Sequence, residues 1–311
     1  MSVVTTGFFD GVHLGHRHVL EAVVSAARER GEEAIVLTFW PHPRTVLQQD
    51  AREFRLLTSL EEKKVLLLAA GIDRVEVLPF TREFAALTAQ EYLQLLKDRF
   101  QATLVVMGYD NRIGSDKKTA KEMEDCCSWN PSSLRSSSLP TSLRAVGPLP
   151  FTWPRAATGS QEQQSSISST QIRKALEEGR IEEANAMLGY RYGLYGVVVA
   201  GNRMGRTIGF PTANMQLYEP LKLVPGNGVY AVEVEVLGAK YKGMCNIGLR
   251  PTVDGKVRTI ETHILDFDQD IYGLPIRLRF VRRLRDERCF PSLDALREQL
   301  QKDSLLAVKC K

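Results

Sequence analysis

Residues 205–214 read Gly-Arg-Thr-Ile-Gly-Phe-Pro-Thr-Ala-Asn, and the rest of the chain is organised around this decapeptide. Gly205 and Gly209 allow a backbone to approach a phosphate closely and Pro211 freezes a turn. Thr212 and Asn214 bring neutral oxygens from one short stretch, the donor type a hard cation such as Mg²⁺ prefers. The pattern is that of a loop for a nucleotide and its metal. It lacks the Gly-x-x-x-x-Gly-Lys-Ser/Thr order of a P-loop, so the common kinase and ATPase motif does not account for it. A plain tight loop between two strands would use the glycines and the proline, but it would not ask for Thr-x-Asn.

Around the decapeptide the hydrophobic period is two. Tyr230, Val232, Val234 and Val236 alternate with Ala231, Glu233 and Glu235, and Ile276, Leu278 and Phe280 alternate with Arg277 and Arg279. This is the pattern of half-buried antiparallel strands. With Tyr195–Ala200 and Tyr241–Asn246 it predicts a small closed barrel, followed by an amphipathic helix over Pro291–Leu300. The arginines between 277 and 288 alternate with apolar residues, which reads as a solvated barrel face, and no nucleic-acid partner is expected.

Upstream, Val3–Thr6, Ala34–Phe39, Arg74–Phe80 and Thr103–Gly108 read as strands separated by helices. Ser59 with Glu62 and Thr88 with Glu91 have capping-box spacing, and Gly31 and Gly71 sit where helices should stop. Such alternation predicts a doubly wound parallel sheet with ligands beyond the carboxyl ends of its strands. Short helices at about 170–178 and 181–188 close this half, which places the domain boundary between 188 and 189. In the turn after the first strand, His13 and His16 flank Leu14-Gly15 where a helix begins. That position offers unpaired N–H groups and a positive dipole end to an anion. A metal pair is the competing reading, but a third ligand is not evident.

A chain of 311 residues is comfortable for two domains. Its charge of +4, from 41 basic and 37 acidic residues, is too slight to argue for a nucleic-acid or membrane partner, and anionic small molecules suffice. Five cysteines without Cys-x-x-Cys pairing do not form a disulfide framework, and no apolar run approaches the ~20 residues of a membrane span. A soluble cytoplasmic protein is expected.

The decapeptide resembles the signature of riboflavin kinases. Later blocks of that family follow in order: Gly-Val-Tyr at 228–230, Asn-Ile-Gly-Leu-Arg-Pro-Thr at 246–252, Glu-Thr-His-Ile-Leu-Asp-Phe at 261–267 and Arg-Asp-Glu-Arg-Cys-Phe at 285–290. Gly-Phe-Phe-Asp-Gly-Val-His-Leu-Gly-His at 7–16, Phe-Trp-Pro-His-Pro at 39–43 and Ile-Ser-Ser-Thr-Gln-Ile-Arg at 167–173 resemble the adenylyltransferase half of bacterial bifunctional FAD synthetases.

The resemblance implies a Rossmann-like nucleotidyltransferase domain over 1–188 and a riboflavin kinase barrel over 189–311. The substrates would be riboflavin, FMN and ATP, with Mg²⁺ as cofactor. In the first half Gly7, Asp10, Gly11 and Gly15 would bind the nucleotide with His13 and His16, and Ser168, Ser169, Thr170 and Arg173 would take the ATP β- and γ-phosphates. Alone, those hydroxyls could equally be a helix cap. In the second half Gly205, Thr207, Gly209 and Pro211 would cradle phosphates, Thr212 and Asn214 would hold Mg²⁺, and Glu261 would be the base. Asn246, Gly248, Arg250 and Thr252 would form a loop over the flavin. Asp110 stands where the family places flavin and nucleotide contacts. Ile113 replaces the usual Phe nearby, which would weaken isoalloxazine stacking.

The resemblance stops between Gly114 and Gln164. The Ser/Pro-rich stretch within 115–166 has no clean β-branched run, although the sheet needs a fifth strand there. Compensated frameshifts and a genuine insertion both fit its abrupt edges. A missing strand would impair adenylyl transfer and leave a chain active only as a kinase. A non-catalytic flavin-sensing or RNA-binding regulator is the rival of another class, and retention of His13, His16, Thr212, Asn214 and Glu261 argues against it.

Overall fold

In the computed structural model, which describes residues 1–47, 54–108, 111–119, 122, 134–136, 167–201, 204–252 and 255–310, the βα alternation of the first half is a parallel sheet. Its strands are β1 (Ser2–Thr6), β2 (Glu33–Trp40), β3 (Arg74–Pro79), β4 (Ala102–Met107) and β5 (Leu134–Ser136), in the order β3-β2-β1-β4-β5. The helices are α1 (Leu14–Arg30), α2 (Pro43–Leu47), α3 (Leu60–Ala69), α4 (Arg82–Ala85) and α5 (Ala89–Phe100).

Successive residues of a strand face opposite sides, and here both sides are covered. Val3, Ala34, Val36, Leu104 and Val106 pack with Leu20, Val23 and Ala27 of α1 and Leu67 of α3. Val4, Ile35, Leu37, Val105 and Met107 pack with Tyr92, Leu93, Leu96 and Phe100 of α5. Both expected capping boxes form, and α1 stops at Gly31 with φ 64°. The strand order reverses between β1 and β4, so the crevice beyond their carboxyl ends is where a ligand should bind.

The expectation that the sheet lacks a fifth strand is corrected, because Leu134–Ser136 pairs in parallel with Val105–Met107. A three-residue edge strand is held by backbone hydrogen bonds on one side, so it needs no β-branched run to be recognised by its neighbour. Most of 115–166 lies outside the described residues.

The chain divides into two compact units, Met1–Ile167 and Ser168–Lys311. The second begins with α6 (Ser169–Glu177) and α7 (Ile181–Leu188). These two helices were expected to close the first half, but they pack on the barrel. Asn185 Nδ2 donates to the Phe280 carbonyl at 2.9 Å, and Gly226 N donates to the Leu176 carbonyl at 2.8 Å.

The barrel is built from β6 (Gly193–Val199), β7 (Ala213–Leu217), β8 (Gly228–Val236), β9 (Ala239–Thr252), β10 (Gly255–Ile264) and β11 (Pro275–Arg285), closed in the order β10-β7-β6-β11-β8-β9, with the short helix α8 (Met204–Thr207) before β7. Tyr230, Val232, Val234, Leu278 and Phe280 fill its interior. The arginine run faces outward and is matched by carboxylates: Arg279 meets Glu235 at 3.0 Å, Arg282 meets Glu182 at 3.2 Å and Arg283 meets Asp286 at 2.9 Å.

The terminal helix α9 runs Leu293–Lys309, longer than the sequence reading. Ser292 caps its start by accepting from Ala295 N, and no Gly or Pro follows to stop it. It is anchored by Asp303, 1% exposed, whose carboxylate accepts from Arg285 Nε at 2.8 Å. Asp303→Ala would leave the Arg285 guanidinium without its counter-charge. Urea unfolding should then show the second unit destabilised by about 3 kcal/mol, the low end for breaking a buried pair from one side, while the first unit's transition stays in place.

Candidate functional site

Two sites emerge, one in each unit. In the first, β1 ends and the chain makes a tight turn before α1. Phe9 (φ 49°), Gly11 (φ 84°) and Val12 (φ 38°) are all left-handed. Two non-glycine residues held there mark a turn that its surroundings over-determine, as functional turns are.

Asp10 does much of the holding. It is 3% exposed, and its carboxylate accepts from Leu57 N, Thr58 N and Thr58 Oγ1 at 3.0–3.2 Å. Thr58 Oγ1 in turn accepts from Gly11 N at 3.1 Å. Asp10, read as a phosphate-binding residue, therefore ties the 54–59 segment to the turn.

His13 caps α1: its Nδ1 accepts from His16 N at 3.3 Å, leaving Nε2 as the donor. The His13 and His16 rings stack at 3.7 Å. A side chain at Gly15 would meet the His13 ring and the Ile167 carbonyl, which is why glycine stands there. His16 is held well below its ordinary pKa by burial first, then by His13 and Lys63, so its imidazole is neutral at pH 7. Its Nδ1 is buried and has no hydrogen-bond partner among the described residues. A buried polar atom left open in this way is a place for a ligand atom.

Beyond β1 and β4 opens a cavity of about 490 Å³, lined by Gly7, Phe39, Phe80, Phe84 and Tyr92 and by the 111–115 segment. Burial raises the Tyr92 phenol, which shares a 2.7 Å hydrogen bond with Thr6 Oγ1. Ile113 is 6% exposed and packs in the core, so Phe39, Phe80 and Phe84 provide the aromatic faces of the cavity. Asp110 lies outside the described residues. Ser168 is the N-cap of α6 in a capping box with Gln171, and Ser169, Thr170 and Arg173 follow on that helix.

The second site lies on the barrel. Glu261 of β10 pairs with Asn214 of β7 on one side and with Asn246 of β9 on the other. Directly paired residues share a face, so the three form one polar row across adjacent strands, spaced by about 4.8 Å. Ile260 and Thr262, the neighbours of Glu261 along the strand, point into the core. Asn214 also lines a cavity of about 490 Å³ with Arg206, Pro211, Thr212 and the 267–272 segment.

The 205–210 part of the decapeptide is closed by Phe210 N donating to the Gly205 carbonyl at 2.8 Å, and Gly209 takes φ 82°. Thr207 ends α8, so the expected loop contains a helical turn. Asn246–Thr252 is corrected from a loop to the end of β9. The ladder to β10 is unbroken from Gly243↔Ile264 to Thr252↔Gly255, which puts Asn246, Gly248, Arg250 and Thr252 at alternate positions of one strand.

Two residues escaped the sequence reading. His263 Nδ1 donates to the Pro211 carbonyl at 2.8 Å, and its ring lies against Phe210. Its place two residues after Glu261 was the available signal. Lys63 is 0% exposed, with its ammonium 3.8 Å from the centre of the Phe8 ring. Its position one turn before Leu67, on the buried stripe of α3, was the sign that this lysine does not face solvent.

Residues 188–310 match the riboflavin kinase family and residues 1–130 the FAD synthetase family. The chain is 36% identical to the bifunctional riboflavin kinase/FMN adenylyltransferase of Bacillus subtilis (strain 168), over 99% of this chain and 92% of that one. It is 36% identical to the protein of the same description from Escherichia coli (strain K12), over 98% and 91%. A crystal structure described as a macrolide-efflux protein from Streptococcus pneumoniae superimposes with a TM-score of 0.86 at 33% identity, covering 100% of this chain and 94% of that one. No helix among the described residues is long and apolar enough to cross a membrane.

The Asp10 bonds make a direct test of the turn. Asp10→Ala should orphan the amides of Leu57 and Thr58, and each buried group left unsatisfied costs about 1–3 kcal/mol. Hydrogen exchange should show those two amides losing protection first.

Proposed function

Because the chain belongs to the bifunctional riboflavin kinase/FMN adenylyltransferase family, we propose an assignment of its two reactions to these two sites. The protein phosphorylates riboflavin to FMN and adenylylates FMN to FAD, with ATP as co-substrate in both. We divide the chain functionally at 188/189, and we place the enzyme in the cytoplasm, where its free thiols Cys245, Cys289 and Cys310 stay reduced.

In the kinase, the observation that carries the assignment is the Asn214–Glu261–Asn246 row. The terminal ribityl hydroxyl is not ionised at neutral pH, and a base that takes its proton as the oxygen attacks the ATP γ-phosphorus lowers the barrier. Glu261 is that base. Asn246, with Gly248, Arg250 and Thr252 further along β9, orients the flavin. Gly205, Thr207, Gly209 and Pro211 hold the phosphates. Thr212 and Asn214 are oxygen donors on a cavity wall, which suits Mg²⁺ shared with a triphosphate. Bound there, the ion supplies neutralisation of the phosphate charge.

In the adenylyltransferase the attacking phosphate of FMN is already largely ionised, its second pKa being ~6, so no base is required. An FMN phosphate oxygen bonds to the ATP α-phosphorus as the bond to pyrophosphate breaks. Catalysis is positioning and charge stabilisation. His13 through Nε2 and neutral His16 hydrogen-bond the phosphates at the α1 terminus, with Gly7, Gly11 and Gly15 keeping the backbone close. The flavin sits among Phe39, Phe80 and Phe84, with Asp110 as a polar contact.

Glu261→Gln should lower kcat for FMN formation by roughly 10² to 10⁴ with riboflavin affinity nearly unchanged. FMN formation near the wild-type rate would remove Glu261 from the mechanism. Thr212→Ala with Asn214→Ala should abolish FMN formation and spare FAD formation from supplied FMN, and His13→Ala with His16→Ala should do the reverse. Chromatographic separation of riboflavin, FMN and FAD reads both results, and loss of both activities in either folded variant would contradict two independent sites.

A further inference from the structure

Lys63 is a buried cation that none of the roles above uses. Among the described residues its ammonium has one hydrogen-bond acceptor, Thr38 Oγ1 at 3.4 Å, and one aromatic face, Phe8 at 3.8 Å, with no carboxylate within ion-pair distance. Burying an ammonium with so little compensation disfavours the fold. A helix surface position one residue away, at Lys64, carries its lysine in solvent beside Glu61 without that cost. The placement of Lys63 is specific. Thr38 Oγ1 also donates to the Phe8 carbonyl at 3.3 Å, so lysine, threonine and phenylalanine meet at the first residues of the left-handed turn. From that turn Asp10 faces the ammonium as an attractive charge, although its carboxylate is occupied by Leu57 and Thr58. From α1, His16 faces it, stacked on His13, and both feel mutual repulsion if protonated.

His16 therefore brings a hydrogen-bonding group to the turn but little positive charge, because it is held neutral. Transfer of an adenylyl group needs charge: negative charge grows on the bridging and pyrophosphate oxygens as the α-phosphorus changes partners. We propose that Lys63 is the electrostatic residue of the adenylyl-transfer site, a fixed cation beneath the Phe8–Asp10 turn that stabilises the phosphate charge developing there. The inference rests on adenylyl transfer occurring at this turn. The low dielectric around the ammonium strengthens its field.

Burial lowers the Lys63 pKa to about 8, with Asp10 partly opposing the shift. The charge of the free enzyme is present below that pH and lost above it, so kcat/KM for ATP in adenylyl transfer should fall as pH rises through about 8. The test uses the full chain with FMN, ATP and Mg²⁺ as substrates, comparing wild type with Lys63→Met and Lys63→Arg across pH 6.5 to 9.5. FAD formation is followed, with riboflavin phosphorylation and thermal unfolding measured on the same samples. Lys63→Met should lose roughly 10²-fold in kcat for FAD formation, with KM for FMN changed little. Its residual rate should lack the alkaline fall, and its first unit should melt no lower than wild type because a buried charge has been removed. Lys63→Arg should push the fall to higher pH. Riboflavin kinase activity should be unchanged in both.

Near wild-type FAD formation by Lys63→Met, or an alkaline fall of the same position and size in that variant, would overturn the proposal. So would a lower melting temperature with kcat intact, which is what a purely structural lysine predicts. If Lys63→Met does not fold, the wild-type profile decides: a kcat/KM for ATP independent of pH from 6.5 to 9.5 overturns the proposal. Failure of the underlying reading would look different, as no FAD from wild type at any pH.

Discussion

The register of β10 against its two neighbours is the constraint that sets the Asn214–Glu261–Asn246 row, on which the proposed kinase chemistry rests. Side chains along a strand change face at every residue, so moving from Ile260 to Glu261 to Thr262 passes from core to outside and back. A slip of one residue would bury the carboxylate and present an isoleucine or a threonine between Asn214 and Asn246. Two things prevent it. The neighbouring row, Tyr230, Cys245 and Thr262, runs across β8, β9 and β10 and is packed in the interior. Barrel closure also gives β10 a partner on both sides, so no free edge is available for re-pairing.

In the first unit the equivalent constraint is a turn. Parallel strands bring their carboxyl ends to one edge, and the reversal of order between β1 and β4 leaves a crevice there. The backbone conformation that fits the crevice is unfavourable for Phe9 and Val12. The buried bonds of Asp10 to Leu57 and Thr58 hold it, so a segment nearly fifty positions away determines the shape of the turn.

Much of this was legible in the sequence because the signals were periodic or local. The two-sided sheet followed from β1, β2 and β4 being apolar on both faces, the helix starts from Ser59 and Thr88, and the barrel from the alternation at 230–236 and 276–280. Glu261, Asn214 and Asn246 were each named from their motifs, but that they form a row is a matter of register, with Glu261 paired across 15 positions to Asn246 and across 47 to Asn214, which no local pattern encodes. The expected loop at Asn246–Thr252 turned out to be strand because pairing with β10 overrides the breaking tendency of Gly248 and Pro251. Leu134–Ser136 was missed because an edge strand is specified by its neighbour's backbone. Asp10 looked like a ligand contact because sequence does not reveal which way a carboxylate turns, and Lys63 was passed over for a related reason, a lysine in a charged run being normally solvated.

The hydrogen bond from His263 to the Pro211 carbonyl joins β10 to the stretch that carries Thr212 and Asn214. The proposed base and the proposed cation ligands are thereby tied together by a side chain as well as by the pairing of Glu261 with Asn214. The Phe267–Tyr272 stretch lines the same cavity as Thr212 and Asn214 but contributes no member of the polar row.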